Sequence, residues 1–124
     1  MNSKVWWLRL VLGIGLASVA SCGTFGKVVA IGGHAADLAL DEPRGLLYIA
    51  DFTANRIEVM KLGDGTVQTS INVPPQPGSL ALSQDGRFLV VVHFGNFAAP
   101  GTPTNALTVI DFNNNNTKQT YALG

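Results

Sequence analysis

Charged residues are scarce in this sequence. Only 13% of the residues are Asp, Glu, Lys or Arg, and eight basic residues balance eight acidic ones. No run of Lys or Arg occurs, so the chain lacks the electrostatic footprint of a nucleic-acid-binding protein. Because 47% of the residues are hydrophobic, the composition indicates a packed core and excludes an intrinsically disordered chain.

Cysteine occurs once, at Cys22, so an internal disulfide cannot form. Several motifs that mark enzyme chemistry are missing as well. The sequence has no glycine-rich phosphate loop leading into a helix, no Gly-x-Ser-x-Gly elbow and no His-x-x-x-His pair. No cofactor is therefore implied, and the missing catalytic set favours a binding protein over an enzyme.

The first 21 residues differ in character from the rest of the chain. Lys4 and Arg9 supply positive charge, and residues 10–20 are apolar or small up to the cysteine at position 22. This order is typical of a secretory signal. The apolar run is shorter than the about 20 residues that a membrane-spanning helix needs. We therefore predict a signal peptide at residues 1–21, with a retained membrane helix as the alternative.

The end of this segment, VASC at residues 19–22, resembles the bacterial lipobox. The resemblance implies that Cys22 is lipidated and becomes the mature N-terminus, with a two-chain anchor that is sufficient for stable membrane attachment. By similarity to Gram-negative sorting rules, Gly23 implies an exported lipoprotein that faces the periplasm or is anchored in the outer membrane. The alternative is ordinary cleavage after Ala20, which would leave a secreted protein with a free thiol.

The remainder of the chain repeats with a period of about 42 residues. LALD at 38–41 recurs as LALS at 80–83, and LLYIADF at 46–52 aligns with FLVVVHF at 88–94. Further along, NRIEVM at 55–60 aligns with NALTVI at 105–110, so the offset has grown. The growth locates an insertion, FAAPGTPT, at residues 97–104.

Each repeat contains four candidate strands separated by turn residues. The second strand is a continuous apolar run, which is expected where both faces are covered, and the third and fourth alternate. The predicted strands are 37–41, 46–51, 56–61, 66–73, 79–83, 88–93, 106–111 and 117–123. Four antiparallel strands per repeat indicate β-propeller blades, so we predict an all-β fold with blade one at 37–73 and blade two at 79–123. A generic β-sandwich is the alternative.

Specific motifs support this architecture by family resemblance. YIAD at 48–51, followed by NRIEV at 55–59, resembles the YVTN-type propeller repeat, and SQDGRFL at 83–89 is similar to the Ser-Pro-Asp-Gly-Arg turn of such proteins. DEPRGLLY at 41–48 resembles the related NHL and gluconolactonase-like propellers. Gln84 and the 97–104 insertion depart from the pattern. The resemblance covers residues 28–124 and implies a propeller scaffold. It is specific for architecture and says little about function.

Two blades make an incomplete ring. Residues 28–31 align with the outermost strand of a repeat, so they are predicted to form an additional N-terminal outer strand. Propellers contain four to eight blades, and a repeat unit normally buries its face on a neighbour. Three explanations follow for the partial propeller at 22–124: a fragment or truncated form, self-association of copies through uncovered blade faces, or a small open pair of sheets.

Strand connectivity places the long loops on one face. That loop-rich face collects residues 32–36, 52–55, 74–78 and 94–105, and long loops on a rigid scaffold are where binding usually occurs. The predicted partner is therefore a protein or small-molecule ligand on this face, and shortening the 97–104 insertion is expected to weaken its capture. The candidate binding residues are Phe52, Thr53, Asn55, His93, Phe94, Asn96, Phe97 and Asn105.

A metal site has little support from the sequence. His34, Asp37 and His93 are the weak candidates, because imidazole and carboxylate are suitable metal ligands. Gluconolactonase-like propellers hold a divalent ion with Glu, Asn and Asp, and this chain offers Asp37 and Asp41 on its inner strands with no matching Glu. We therefore predict a cell-envelope-anchored YVTN-like propeller segment acting as a binding scaffold. The alternative is part of a lactonase-like propeller hydrolase.

Overall fold

The computed structural model describes residues 26–95 and 105–123 of the chain. Regular structure in these residues is β, apart from one short 3₁₀ helix at Phe112–Asn114. The strands are β1 Ala35–Asp41, β2 Leu46–Asp51, β3 Arg56–Lys61, β4 Thr66–Asn72, β5 Pro77–Leu82, β6 Phe88–Phe94, β7 Asn105–Asp111 and β8 Thr117–Leu123. Nothing helical in the described ranges is long and apolar enough to cross a membrane.

The eight strands form two separate four-stranded antiparallel sheets. Sheet one contains β1 to β4 and sheet two contains β5 to β8, each paired in chain order. Every strand begins and ends within two residues of its predicted bounds. The prediction of an all-β fold with two four-stranded antiparallel blades is therefore confirmed, and the two sheets do not close into a barrel.

Left-handed backbone conformations allow the tight turns between strands. Gly45 and Gly86 have φ of +66° and +70° in the β1–β2 and β5–β6 turns, where a residue without a Cβ pays little steric penalty. Asn115 and Asn116 have φ of +53° and +56° in the β7–β8 turn and are exposed. The asparagine run at 113–116 is therefore a solvent-exposed turn.

The core lies between one face of sheet one, which we call its front, and one face of sheet two, which we call its back. Alternation along a strand puts every second residue on the same face. The front of sheet one contributes Ala39, Tyr48, Ala50, Ile57, Val59 and Ile71. The back of sheet two contributes Leu80, Leu82, Leu89, Val91 and Ile110. β1 and β2 contact β5, so the sheets approach each other along their inner strands.

One predicted element is not formed. Residues 28–31 have no strand structure, and neither sheet pairs with them. Val28 is 98% exposed. The prediction of an N-terminal outer strand is therefore wrong for the described structure, because an extended segment becomes a strand only when a neighbouring strand takes its backbone hydrogen bonds. The preceding Lys27 instead donates from Nζ to the carbonyl of Asp64, 2.8 Å away in the β3–β4 turn.

Candidate functional site

The loop-rich face contains a pocket at the edge between the two sheets, which we call the edge pocket. The segment before β1, the β2–β3 turn and the ends of β5 and β6 meet there. Its volume is about 510 Å³. It is lined by His34, Ala35, Ala36, Phe52, Thr53, Gly78 and Phe94. Of the predicted binding residues, the fold thus brings Phe52, Thr53 and Phe94 to one pocket.

Aromatic rings supply much of the lining of the edge pocket. The rings of His34 and Phe52 meet edge to face, with centroids 6.5 Å apart. Phe94 is 47% exposed and lies so close to the backbone of Gly78 that a Cβ there would overlap its ring. The Phe94 ring can therefore lie in this position only because residue 78 has no side chain. Apolar and aromatic walls of this kind suit the apolar part of a ligand.

A buried carboxylate supports the pocket from below. Asp51 is fully buried, and its Oδ1 accepts hydrogen bonds from the backbone N–H groups of His34 and Ala54, each at 3.1 Å. The Thr53 hydroxyl also contacts Oδ1 at 3.4 Å. Among the described residues Asp51 Oδ2 has no hydrogen-bond partner. The carboxylate therefore holds the pre-β1 segment and the β2–β3 turn in place, so the position of His34 depends on it.

A close approach of the backbone accompanies this arrangement. A Cβ at Gly33 would overlap the carboxylate of Asp51, so only glycine fits here without displacing the acid. Phe52 N–H also donates to the His34 carbonyl at 2.8 Å. The two walls of the pocket that carry His34 and Phe52 are thus bonded to each other directly.

His93 occupies the position in sheet two that Asp51 occupies in sheet one, and it is packed inside. It is 3% exposed. Its Nδ1 is 3.2 Å from the Pro75 carbonyl and its Nε2 is 2.8 Å from the Thr108 hydroxyl. Because a carbonyl only accepts, Nδ1 donates, and Nε2 of the neutral ring accepts from Thr108. The Thr120 hydroxyl, 2.9 Å away, is left to donate to Thr108.

Burial lowers the pKa of His93 below its ordinary value, and contacts with the carbonyls of Pro75 and Pro74 offset only part of that effect. The ring is therefore neutral at physiological pH. Since both ring nitrogens are engaged by protein atoms, His93 supports the link before β5 and is not exposed to a ligand.

Asn55 is engaged in backbone support. Its φ is +55°, its Oδ1 accepts from the Gln76 N–H at 3.0 Å and its carbonyl accepts from the Val73 N–H at 3.1 Å. These bonds join the β2–β3 turn to the link between the sheets. Asn105 is exposed at the start of β7, opposite Phe94 and Leu123. Asn96, Phe97 and Cys22 lie outside the described residues.

The metal candidates have other roles where the structure describes them. Asp37 Oδ2 accepts from the Leu80 N–H at 2.7 Å, and its Oδ1 accepts from the Leu38 N–H at 2.8 Å. Asp37 therefore links the inner strands of the two sheets. Within residues 26–95 and 105–123 no group of three or more His, Cys, Asp or Glu side chains is placed to hold a metal ion.

A second polar cluster lies on the face opposite the loop-rich one, at the β1–β2 and β5–β6 turns. Asp41 is 1% exposed, and its Oδ2 accepts from Arg44 Nη1 at 2.7 Å and from the Tyr48 hydroxyl at 3.0 Å. The same Nη1 donates to the Gly86 carbonyl at 2.7 Å in sheet two. This turn cluster borders a groove of about 520 Å³ between the β1–β2 and β5–β6 turns.

The charges in the turn cluster stabilise one another. Burial raises the pKa of Asp41, but the hydrogen bonds from Arg44 and Tyr48 outweigh it, and the pKa lies below its ordinary value. Burial and the bond to Asp41 raise the pKa of Tyr48 to about 12. The spacing Asp41-x-x-Arg44-x-x-x-Tyr48 was the available signal in the sequence. The contact with Gly86 was not visible there, because it depends on how the sheets stack.

Comparisons with known proteins support the fold and leave function open. No protein-family model matches the chain, and no curated protein matches it. Among solved structures, Kuenenia stuttgartiensis hydrazine synthase aligns with a TM-score of 0.59 at 18% identity, over 83% of this chain and 26% of that one. A eukaryotic initiation factor aligns with a TM-score of 0.54 at 20% identity, over 81% of this chain and 24% of that one.

These likenesses concern the fold alone, since both identities are low. The chain spans only about a quarter of the length of either solved protein, 26% and 24%. Both alignments cover most of this chain, so the stacked four-stranded sheets recur as part of larger proteins.

Proposed function

We propose that the protein is an exported, envelope-anchored, YVTN-like propeller segment that acts as a binding scaffold. The edge pocket is its ligand site, and a compact apolar or aromatic group of the ligand occupies it. The observation that carries the proposal is the convergence of three loop or strand-end side chains, Phe52, Thr53 and Phe94, on one pocket of about 510 Å³.

The arrangement of the pocket favours recognition over catalysis. Its walls are two phenylalanines, a histidine ring and two alanines, and the carboxylate beneath it is engaged with backbone N–H groups. The Thr53 hydroxyl and the His34 ring lie at the rim as polar groups that orient a ligand. Nothing in the described residues speaks for the lactonase-like alternative.

The YVTN-like part of the proposal is supported by the positions that its sequence motifs occupy in the fold. YIAD at 48–51 occupies β2, and Asn55 precedes the alternating β3. Asp85-Gly86 lies in the β5–β6 turn, where Asp85 accepts from the Ser83 hydroxyl at 2.6 Å and from the Arg87 N–H at 3.0 Å. These are the positions expected of a YVTN-like blade. Export and anchoring rest on residues 1–22.

The test is ligand-observed saturation-transfer NMR on the full chain with indole, p-cresol and cyclohexanol as probes. We expect saturation of at least the aromatic probes, and a loss of about tenfold in affinity in Phe52→Ala/Phe94→Ala, because their contact area is removed. Tyr121→Ala is the matched control, since Tyr121 is 46% exposed, close to the exposure of Phe94, and does not line the pocket.

Gly78→Ala tests the geometry of the same site. The new methyl group overlaps the present position of the Phe94 ring, so the ring has to move and probe affinity changes while the sheet is kept. If no probe is saturated, or if the Phe52→Ala/Phe94→Ala variant binds as the Tyr121→Ala control does, the edge pocket is not the ligand site.

A further inference from the structure

The contact between the two sheets joins unlike faces. Sheet one uses its front and sheet two uses its back, so the interface is front to back. Each sheet therefore has a second face that takes no part in this contact. These are the back of sheet one and the front of sheet two, and between them they carry the same two kinds of surface as the buried interface.

The front of sheet two matches the buried front of sheet one position by position. Strand register and the repeat put Ala81, Val90, Val92, Leu107, Val109 and Tyr121 where sheet one has Ala39, Tyr48, Ala50, Ile57, Val59 and Ile71. All six are uncharged. Ile71 is 8% exposed, whereas its counterpart Tyr121 is 46% exposed, so within the described chain the second front face lacks the cover that the first one has.

The back of sheet one matches the buried back of sheet two in the same way. Leu38 and Leu40 stand at the positions of Leu80 and Leu82. The first pair is 56% and 53% exposed, whereas the second pair packs against the core. At the centre of this back face Ile49 and Glu58 are already buried, at 5% and 2% exposed, so its exposed apolar surface is that of Leu38 and Leu40 on the inner strand. Glu58 is the one charged residue at a central position of this face, and it is bonded to Arg56 Nε. Its charge is therefore already neutralised.

The acceptor in one polar contact of the internal interface also has a counterpart, whereas the matching donor, the Leu38 N–H, already donates to Asp37 Oδ1. Asp37 Oδ2 accepts from the Leu80 N–H of sheet two. Ser79 is paired with Val92 as Asp37 is paired with Ala50, so a serine hydroxyl stands at the position of that acceptor. A hydroxyl accepts a hydrogen bond as a carboxylate does.

We propose that this chain binds a second copy of itself front to back. The front of sheet two in one copy packs on the back of sheet one in the next, in the geometry that sheet one and sheet two already adopt within the chain. The contact is heterologous, so successive copies follow one rotation and close into a ring when that rotation allows it. The proposal is independent of the edge pocket.

The test uses pairs of differently tagged full-length chains, co-expressed and co-purified in mild detergent. A front-blocked variant carries Ala81→Lys and Tyr121→Lys, and a back-blocked variant carries Leu38→Lys and Leu40→Lys. All four positions are exposed, so the lysines remain solvated in a single copy. The matched control adds two lysines in the β7–β8 turn, as Asn113→Lys and Asn114→Lys.

We expect wild-type pairs, control pairs and the mixed pair of front-blocked with back-blocked chains to co-purify. The recovery of each blocked variant with a differently tagged copy of itself should fall about tenfold or more. Every front-to-back contact between two such copies would bury the introduced lysines. The mixed pair shows that both variants fold, since each still supplies one working face. Self-pairing of the back-blocked chain, self-pairing of the front-blocked chain, equal recovery of all pairs or recovery of none would each overturn the proposal.

Discussion

Asn55 illustrates how a single residue combines two structural tasks. Its backbone is left-handed, with φ of +55°, and its side chain accepts from the N–H of Gln76, which is itself left-handed at +60°. Asparagine tolerates this conformation better than most residues with a Cβ. The sequence pattern correctly places Asn55 in the β2–β3 turn, and its hydrogen bonds show that it secures the turn to the link between the sheets.

We expect Asn55→Ala to lower the free energy of unfolding by about 2 kcal/mol, because alanine is strained in the left-handed region and the Gln76 N–H loses its acceptor. Asn55→Gly removes the same acceptor without the steric strain, so its loss should be smaller. Urea unfolding of the two variants beside the wild type measures both values. Equal losses would show that backbone strain at residue 55 does not contribute.

Asp51 and His93 are counterparts in the two repeats, but they make different hydrogen bonds because their side chains differ. Both are buried. The carboxylate accepts from backbone N–H groups, whereas the imidazole donates to a carbonyl and accepts from a hydroxyl. The alignment of the repeats predicts that these residues correspond. One partner of each comes from the segment before the first strand of its sheet, His34 before β1 and Pro75 before β5.

The turn cluster acts at the level of elements, because it joins β1, the β1–β2 turn, β2 and the β5–β6 turn. Asp41 accepts from Arg44 and Tyr48, and Arg44 reaches across to Gly86 of sheet two. The depressed pKa of Asp41 means that folding favours its ionised form. This contribution to stability is therefore present above the unfolded pKa of about 3.9 and is lost as the pH falls through the lower folded pKa.

We expect Asp41→Asn to lower the free energy of unfolding by about 2 kcal/mol at pH 7, since charge-assisted hydrogen bonds are lost. The gap between the wild type and Asp41→Asn should narrow as the pH falls below about 4, because Asp41 then takes up a proton more readily in the unfolded chain than in the folded protein, where its pKa is lower. Urea unfolding across pH 2.5 to 7 measures the gap. Glu42→Gln, at an exposed side chain in the same turn, is the matched control, and a gap for Asp41→Asn that stays constant with pH would contradict the assignment.

Strand bounds show where local pattern suffices and where it does not. β2, β3 and β8 begin and end as predicted, because alternation and turn residues are properties of short windows. β1 and β5 begin two residues earlier than predicted, and both contain a register shift, between Ala35 and Asp37 and between Pro77 and Ser79. A bulge of this kind depends on the partner strand, so it has no signature in a single strand's sequence.

At the scale of the whole molecule, attachment to the envelope remains the prediction of residues 19–22. We expect a clickable fatty acid to label the full chain in a Gram-negative host, and the labelled protein to fractionate with the outer membrane, because two acyl chains hold a protein stably at a bilayer. Cys22→Ser should abolish the label and release the protein from the membrane fraction. An unlabelled wild type, or a label that persists in Cys22→Ser, would contradict lipidation.

The candidate site was partly accessible from the sequence. Connectivity of a four-stranded meander is enough to put the 52–55 turn and the end of β6 on one face, and Phe52, Thr53 and Phe94 do line one pocket there. His34, Ala35, Ala36 and Gly78 complete the lining. Their segments were placed on this face, but none of the four was among the candidate binding residues, and the three small ones carry no chemical signal. Their importance is steric, as Gly78 shows where Phe94 lies against its backbone.

The amino-acid sequence by itself determined the eight strands, their grouping into two repeats and the turns between them, since each depends on residues close together along the chain. Only the tertiary structure decided which face of each sheet is covered, that residues 28–31 form no strand, and that Arg44 meets Gly86. The physical reason is that these features depend on the stacking of two sheets. Stacking brings together residues that are about one repeat apart in the sequence, and a short sequence window contains no information about such contacts.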